Sequence, residues 1–169
     1  MKKTLVVAIG ITIAFSALDL VPASAGIVYV ADGLIAKGTG SFVGDDVYST
    51  DGTGETVSAK AKPRKTITFH LKVQNDSAYT DSFTGMGCGS ESPFKVSYYV
   101  GSFDVTAEMV AGTLSSGPMG AGGELVGLDL KIKVKKSATA GAKTKCPVTI
   151  TSESDTAVSD TVVAKVTVK

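Results

Sequence analysis

Thr66-Ile67-Thr68-Phe69-His70-Leu71-Lys72-Val73-Gln74 alternates polar and apolar residues along its whole length. A period of two puts Ile67, Phe69, Leu71 and Val73 on one face of an extended chain and leaves Thr68, His70 and Lys72 on the other. The stretch therefore predicts a half-buried β-strand. Asn75-Asp76-Ser77 supplies turn residues, and Thr80-Asp81-Ser82-Phe83-Thr84 resumes an extended pattern, giving strand, turn, strand with one face on a core.

Working outward, the same period recurs. Phe94, Val96, Tyr98 and Val100 share a face, as do Cys146, Val148 and Ile150, and then Val162, Ala164, Val166 and Val168. Leu128-Asp129-Leu130-Lys131-Ile132-Lys133-Val134-Lys135 repeats it with Asp129 and three lysines outward, which suits an exposed sheet face or a protected edge. Strands are expected near 56–61, 66–74, 80–86, 94–100, 125–135, 145–152 and 161–168, with turn signals about every ten residues. Residues 103–112 are the one stretch where a short helical piece is tenable, because Ala107, Glu108 and Met109 accept either state. About seven short strands predict an all-β fold, an antiparallel two-sheet sandwich of immunoglobulin type. With no Trp in the chain, the core is not of the antibody kind.

Residues 1–25 read as a secretory signal peptide: Lys2-Lys3, an apolar run from Leu5 to Leu18, then Ala23-Ser24-Ala25 before the cleavage point. Asp19 and Pro22 end that run short of the roughly 18–20 apolar residues a spanning helix needs. The mature chain is expected to start at Gly26, without a transmembrane anchor. Residues 26–169 then make a single β-sandwich domain, in which Ile27-Val28-Tyr29-Val30 and Leu34-Ile35-Ala36 within 26–37 each suit either a short strand or an extended, peripheral lead-in. Removal of Lys2, Lys3 and Asp19 leaves no net charge, which argues against nucleic acid as a partner. Two cysteines in an oxidising compartment predict a disulfide, Cys88 to Cys146. Asn75-Asp76-Ser77 has the form of a glycosylation acceptor, but the leader looks bacterial and the turn reading takes precedence.

Chemistry has little to stand on in this sequence. His70 is the sole histidine, on an outward strand position, and neither a triad nor a sugar-stacking platform is apparent. The sequence predicts no enzyme and no cofactor, with calcium as the exception. Gly38 to Glu55 is the largest irregular stretch, pinned by Phe42, Val43, Val47 and Tyr48, and it carries Asp45, Asp46, Asp51 and Glu55. Carboxylates on a flexible glycine-rich loop offer the oxygen ligands Ca²⁺ takes, although their spacing is not that of an EF-hand. The same aspartates can instead cap turns.

The runs Gly38-Thr39-Gly40-Ser41-Phe42-Val43-Gly44-Asp45-Asp46-Val47-Tyr48, Val73-Gln74-Asn75-Asp76 before Asp81-Ser82-Phe83, and Phe94-Lys95-Val96-Ser97-Tyr98 with Asp104-Val105-Thr106 together resemble immunoglobulin-like modules of secreted and cell-surface bacterial proteins. The resemblance runs from about residue 34 to the end. It implies a β-sandwich of the adhesion-related class, serving as stalk, spacer or adhesion module, and it brings no catalytic residue set. The expected function is a secreted or cell-surface structural or protein-binding module, whose partner is a protein or cell-envelope component. The alternative is a carbohydrate- or calcium-dependent binding domain that uses the Gly38–Glu55 loop.

Overall fold

The computed structural model describes residues 27–169. The leader and the cleavage point at Gly26 lie outside the described residues. In chain order the elements are β1 (Ala31–Lys37), β2 (Thr56–Ala61), β3 (Thr66–Asn75), β4 (Phe83–Gly87), β5 (Phe94–Val100), β6 (Phe103–Asp104), α1 (Thr106–Ala111), β7 (Leu114–Ser115), β8 (Glu124–Val134), β9 (Lys143–Ser152) and β10 (Ser159–Val168). One sheet has the order β1-β3-β8-β5-β6 and the other β2-β10-β9-β4-β7. The two face each other as a sandwich, so the all-β expectation holds with ten strands in place of seven.

Alternating strands put their apolar faces where the sequence pattern predicts. Phe69, Leu71 and Val73 of β3, Val96 and Tyr98 of β5, and Leu130 and Ile132 of β8 are buried on one side. Val148 and Ile150 of β9 and Val162, Ala164 and Val166 of β10 meet them from the other. His70 lies on the outer face, its Nδ1 2.7 Å from Asp129 Oδ1 on the paired strand. The lysine row sits on β8, in the middle of its sheet, so it marks an exposed face and not an edge. Lys131 lies over the Tyr99 ring at 4.4 Å.

Three points sharpen or depart from the sequence reading. Of the two readings for the first stretch, residues 31–37 take the strand and not the lead-in: β1 pairs antiparallel with β3 from Ala31↔Asn75 to Lys37↔Phe69, and Ala31 to Ala36 are all buried. Burial on both faces removes the alternation by which a strand is recognised. Secondly, the sheets are not purely antiparallel, because β2 runs parallel to β10. Thirdly, the stretch expected at 80–86 is shorter as a strand, with Asp81 making an isolated bridge to Met119 before β4 begins. The short helix does form, between the two-residue strands β6 and β7, and buries Met109 against Gly85.

Between β3 and β8 the register shifts at Leu71/Lys72, and Gly127 is left without a partner at φ +104. This is a β-bulge at a residue that tolerates the left-handed side of the map. The Cys88–Cys146 disulfide forms, with a Cα–Cα separation of 5.2 Å. Cys88 directly follows β4 and Cys146 lies in β9, which are neighbours in one sheet, so the staple prolongs their pairing. Tyr98 reaches it from the opposite sheet, its hydroxyl 3.2 Å from Cys146 Sγ and 3.1 Å from the Cys88 carbonyl oxygen.

Asn75 ends β3 as a buried hub. Its Nδ2 donates to the carbonyls of Tyr79, Met119 and Gly120, and its Oδ1 accepts from Ser77. The side chain is fully employed in closing loops and has no exposed amide to glycosylate.

Candidate functional site

The Gly38–Glu55 loop is held by fewer apolar anchors than expected. Phe42, Val43 and Tyr48 keep more than a third of their surface exposed. Backbone bonds replace them: Ile35 and Val43 exchange N–H···O pairs of 2.9 Å each, folding the loop over β1. Acids from outside the loop do the rest. Asp32 Oδ2 accepts from the Asp46 N–H at 3.1 Å, and Asp160 Oδ1 accepts from the Ser49 N–H at 2.8 Å.

Of the four carboxylates nominated from sequence, Asp45, Asp46 and Asp51 are exposed. Asp51 Oδ1 accepts from the Thr53 N–H and the Ser49 hydroxyl, both at 2.9 Å, and the Thr53 side chain together with those bonds holds its carboxyl down to about 2. It caps a turn. Glu55 goes the other way, buried to 0 % exposure at the start of β2. The structure thus separates it from its expected companions and joins it to two acids that the sequence reading passed over.

Those two are Asp32 on β1 and Asp160 on β10, and each of the three residues offers a carboxylate oxygen within 4.8 Å of the others. All three residues are wholly buried. Asp160 places each oxygen on a backbone donor, Oδ2 on Gly33 N–H at 2.7 Å and Oδ1 on Ser49 N–H. Glu55 Oε1 and Oε2 and Asp32 Oδ1 have no hydrogen-bond partner. Gly33 and Gly44 let backbone close in: a Cβ at Gly44 would stand 3.1 Å from Glu55 Oε1, and one at Gly33 3.1 Å from Asp160 Oδ2.

Low dielectric and like charge act on the trio together. Burial pushes Asp32 up to about 7, with the Asp46 N–H opposing and the charges of Asp76, Asp160 and Asp45 reinforcing. Burial pushes Glu55 up to about 8, aided by Asp160 and Asp32. Asp160 is raised too, since burial outweighs its hydrogen bonds from Ser49, Gly33 and Thr161 and a proton shared with Glu55. The sequence signal that could have found these partners is slight: a single acid at the head of an otherwise apolar strand, in Ala31-Asp32-Gly33-Leu34 and Ser159-Asp160-Thr161-Val162.

A cavity of about 410 Å³ opens between the sheets. Leu71, Phe83, Met109, Leu128 and Ile150 form its floor, and Phe103 and Val126, 75 % and 56 % exposed, stand at its mouth. Its only side-chain polar groups are Ser115 and Ser116. Both are already engaged: Ser115 Oγ donates to Glu153, and Ser116 Oγ accepts from Phe83 N–H at 2.9 Å and donates to the Gly117 carbonyl.

No family model and no curated protein sequence matches the chain. Among solved structures it resembles the N-terminal domain of PorA at 16 % identity and TM-score 0.46, over 81 % of this chain and 97 % of that one. It also resembles a family 123 glycoside hydrolase from Clostridium perfringens (12 % identity, 68 % of this chain and 23 % of that one, TM-score 0.41). A third is the secreted serine protease VesC from Vibrio cholerae (8 % identity, 68 % and 22 %, TM-score 0.43). The chain spans about a quarter of the length of the hydrolase and the protease. What fold and site define is a two-sheet β-sandwich with an internal disulfide, a buried carboxylate trio and an apolar cleft.

The expectation that the chain is not an enzyme does not stand: a glycoside hydrolase and a serine protease are among the solved structures it resembles. A fold leaves the chemistry of its loops open, and neither the single histidine nor the composition excludes catalysis. At these similarities the likenesses assign no reaction to this chain.

Proposed function

We propose that this chain is a secreted or cell-surface bacterial binding module of the adhesion-related, immunoglobulin-like class, and that it takes an apolar segment of a protein or cell-envelope component into the cleft between its sheets. The single observation that carries the reading is the cleft itself, lined by apolar side chains apart from Ser115 and Ser116 and rimmed by the exposed Phe103 and Val126. With both serines already bonded within the chain, a polar ligand would strip water from its own groups without repayment. An apolar one gains about 25 cal/mol for each Å² of apolar surface covered. The disulfide agrees with an oxidising compartment. No helix among the described residues is long and apolar enough to cross a membrane.

The dye 1-anilinonaphthalene-8-sulfonate tests the cleft directly. Its emission is expected to rise saturably with the folded chain, and Phe103→Ala and Val126→Lys are each expected to weaken binding about tenfold, the equivalent of ~1.4 kcal/mol. Both side chains are exposed, so the unfolding midpoint should stay within about 2 °C. Unchanged dye affinity in both variants would remove the cleft as the binding site. Pull-down of envelope fractions with the same variants then extends the result from dye to partner.

A further inference from the structure

We infer that Asp32, Glu55 and Asp160 form a Ca²⁺ site that ties the Gly38–Glu55 loop to both sheets. This inference stands apart from the cleft, which shares no residue with it. Its strongest support is Glu55, a side chain with no exposed surface that lies against the other two carboxylates and accepts no hydrogen bond from the chain beyond a proton shared with Asp160. A buried polar group left unpaired costs about 1–3 kcal/mol, more when charged. Glu55 and one oxygen of Asp32 are in that position beside the bonded Asp160, and the ion pairs among the described residues, His70–Asp129 and Lys72–Glu124, involve none of the three. A cation in their midst answers that deficit for Glu55 and Asp32 at once.

The donor set names the class of ion. Carboxylate oxygens without imidazole or thiolate select a hard cation. Ca²⁺ takes oxygen ligands at about 2.3–2.6 Å in flexible geometry, whereas Mg²⁺ demands a near-ideal octahedron and keeps several of its waters. The Asp160 oxygens each accept one backbone N–H and keep a lone pair, so those bonds orient the carboxylate toward the ion without using it up. Topology supplies the consequence. Asp32 belongs to one sheet, Asp160 and the strand that Glu55 precedes belong to the other, and the loop hangs from the same carboxylates through the Asp46 and Ser49 N–H groups.

The test uses the mature chain, freed of metal with chelator and then titrated with CaCl2 alone. Calorimetry is expected to give one site, and the unfolding midpoint is expected to rise by about 5 °C or more at 10 mM Ca²⁺, given the 10⁻⁴–10⁻³ M affinities typical of extracellular modules. Glu55→Gln keeps shape and removes a charge, and it should weaken Ca²⁺ binding at least tenfold. Asp45→Ala with Asp51→Ala should leave binding unchanged. Asp32→Asn gives an independent reading should the Glu55 variant not fold. Identical melting with calcium and with chelator, the behaviour of a cluster that holds protons only, overturns the inference. So does a response that follows Asp45 and Asp51 in place of Glu55.

Discussion

Replacing Cys88 and Cys146 together by alanine is expected to lower the unfolding midpoint by more than about 10 °C. The bond closes a sequence separation of 58 residues that contains β5, β6, α1, β7 and all of β8, so reduction frees three of the five strands of one sheet and an edge of the other in the unfolded chain. The chain-entropy relation gives about 4 kcal/mol for a loop of this size, and 1 kcal/mol moves the midpoint of a domain of this length by roughly 3–4 °C. Tyr98 adds to the loss. Its ring is fully buried, and its hydroxyl sits between Cys146 Sγ and the Cys88 carbonyl, so the variant strips one neighbour from a group that cannot reach water. Thermal unfolding by circular dichroism, with wild type measured before and after reduction, checks the figure. A midpoint within about 3 °C of wild type would show that the pairing of β4 with β9 holds that end of the sandwich without its staple.

How much of this was legible depends on how each strand is buried. β3, β5 and β9 have one face on the core and one toward water, and a half-buried strand writes itself into sequence as alternation, whereas β10 is buried on both faces from Asp160 to Ala164 and alternates only toward its end. β1 is enclosed by β3 on its flank and by the loop folded over it, so Ala31-Asp32-Gly33-Leu34-Ile35-Ala36 shows no period at all. β6 and β7 are two residues each, too short to carry one. The parallel pairing of β2 with β10 joins the first quarter of the domain to its last strand, and nothing local to either announces the partner.

The carboxylate trio repeats that lesson in miniature. Glu55 was visible as an acid of the glycine-rich loop, and proximity in sequence grouped it with Asp45, Asp46 and Asp51. Proximity in space is decided by the β1–β10 packing that the sequence pattern did not reveal, which is why Asp32 and Asp160 came to light only with the fold. The turn reading of Asp51, by contrast, needed only its neighbours Ser49 and Thr53, and it holds.

Asp81→Asn is expected to destabilise the chain by about 3 kcal/mol at pH 7, with the loss shrinking as the medium is made acid. Asp81 is 3 % exposed and holds three strangers together. Its Oδ2 accepts from the Ser152 hydroxyl at the end of β9, and its Oδ1 accepts from the N–H of Ser82 at 2.8 Å and of Ser154 at 3.2 Å. Its own backbone bridges Met119 through bonds of 3.0 and 2.7 Å. An amide keeps one acceptor oxygen but turns the other position into a donor facing donors, and each charge-assisted bond given up costs about 1.5–3 kcal/mol, partly recovered by the remaining oxygen. Burial pushes the Asp81 carboxyl up, but the bonds from Ser152, Ser154 and Ser82 outweigh it and hold it below its ordinary 3.8. A carboxyl depressed in the folded state stabilises fully above its unfolded value and loses that contribution as pH falls through the folded one. The midpoints of wild type and variant should therefore lie roughly 8 °C or more apart at pH 7 and converge below about pH 4, where the wild-type carboxyl takes up its proton. Melting curves at pH 7, 5, 3 and 2 decide it, and a gap that stays constant across them would place the role of Asp81 in its shape and not in its charge.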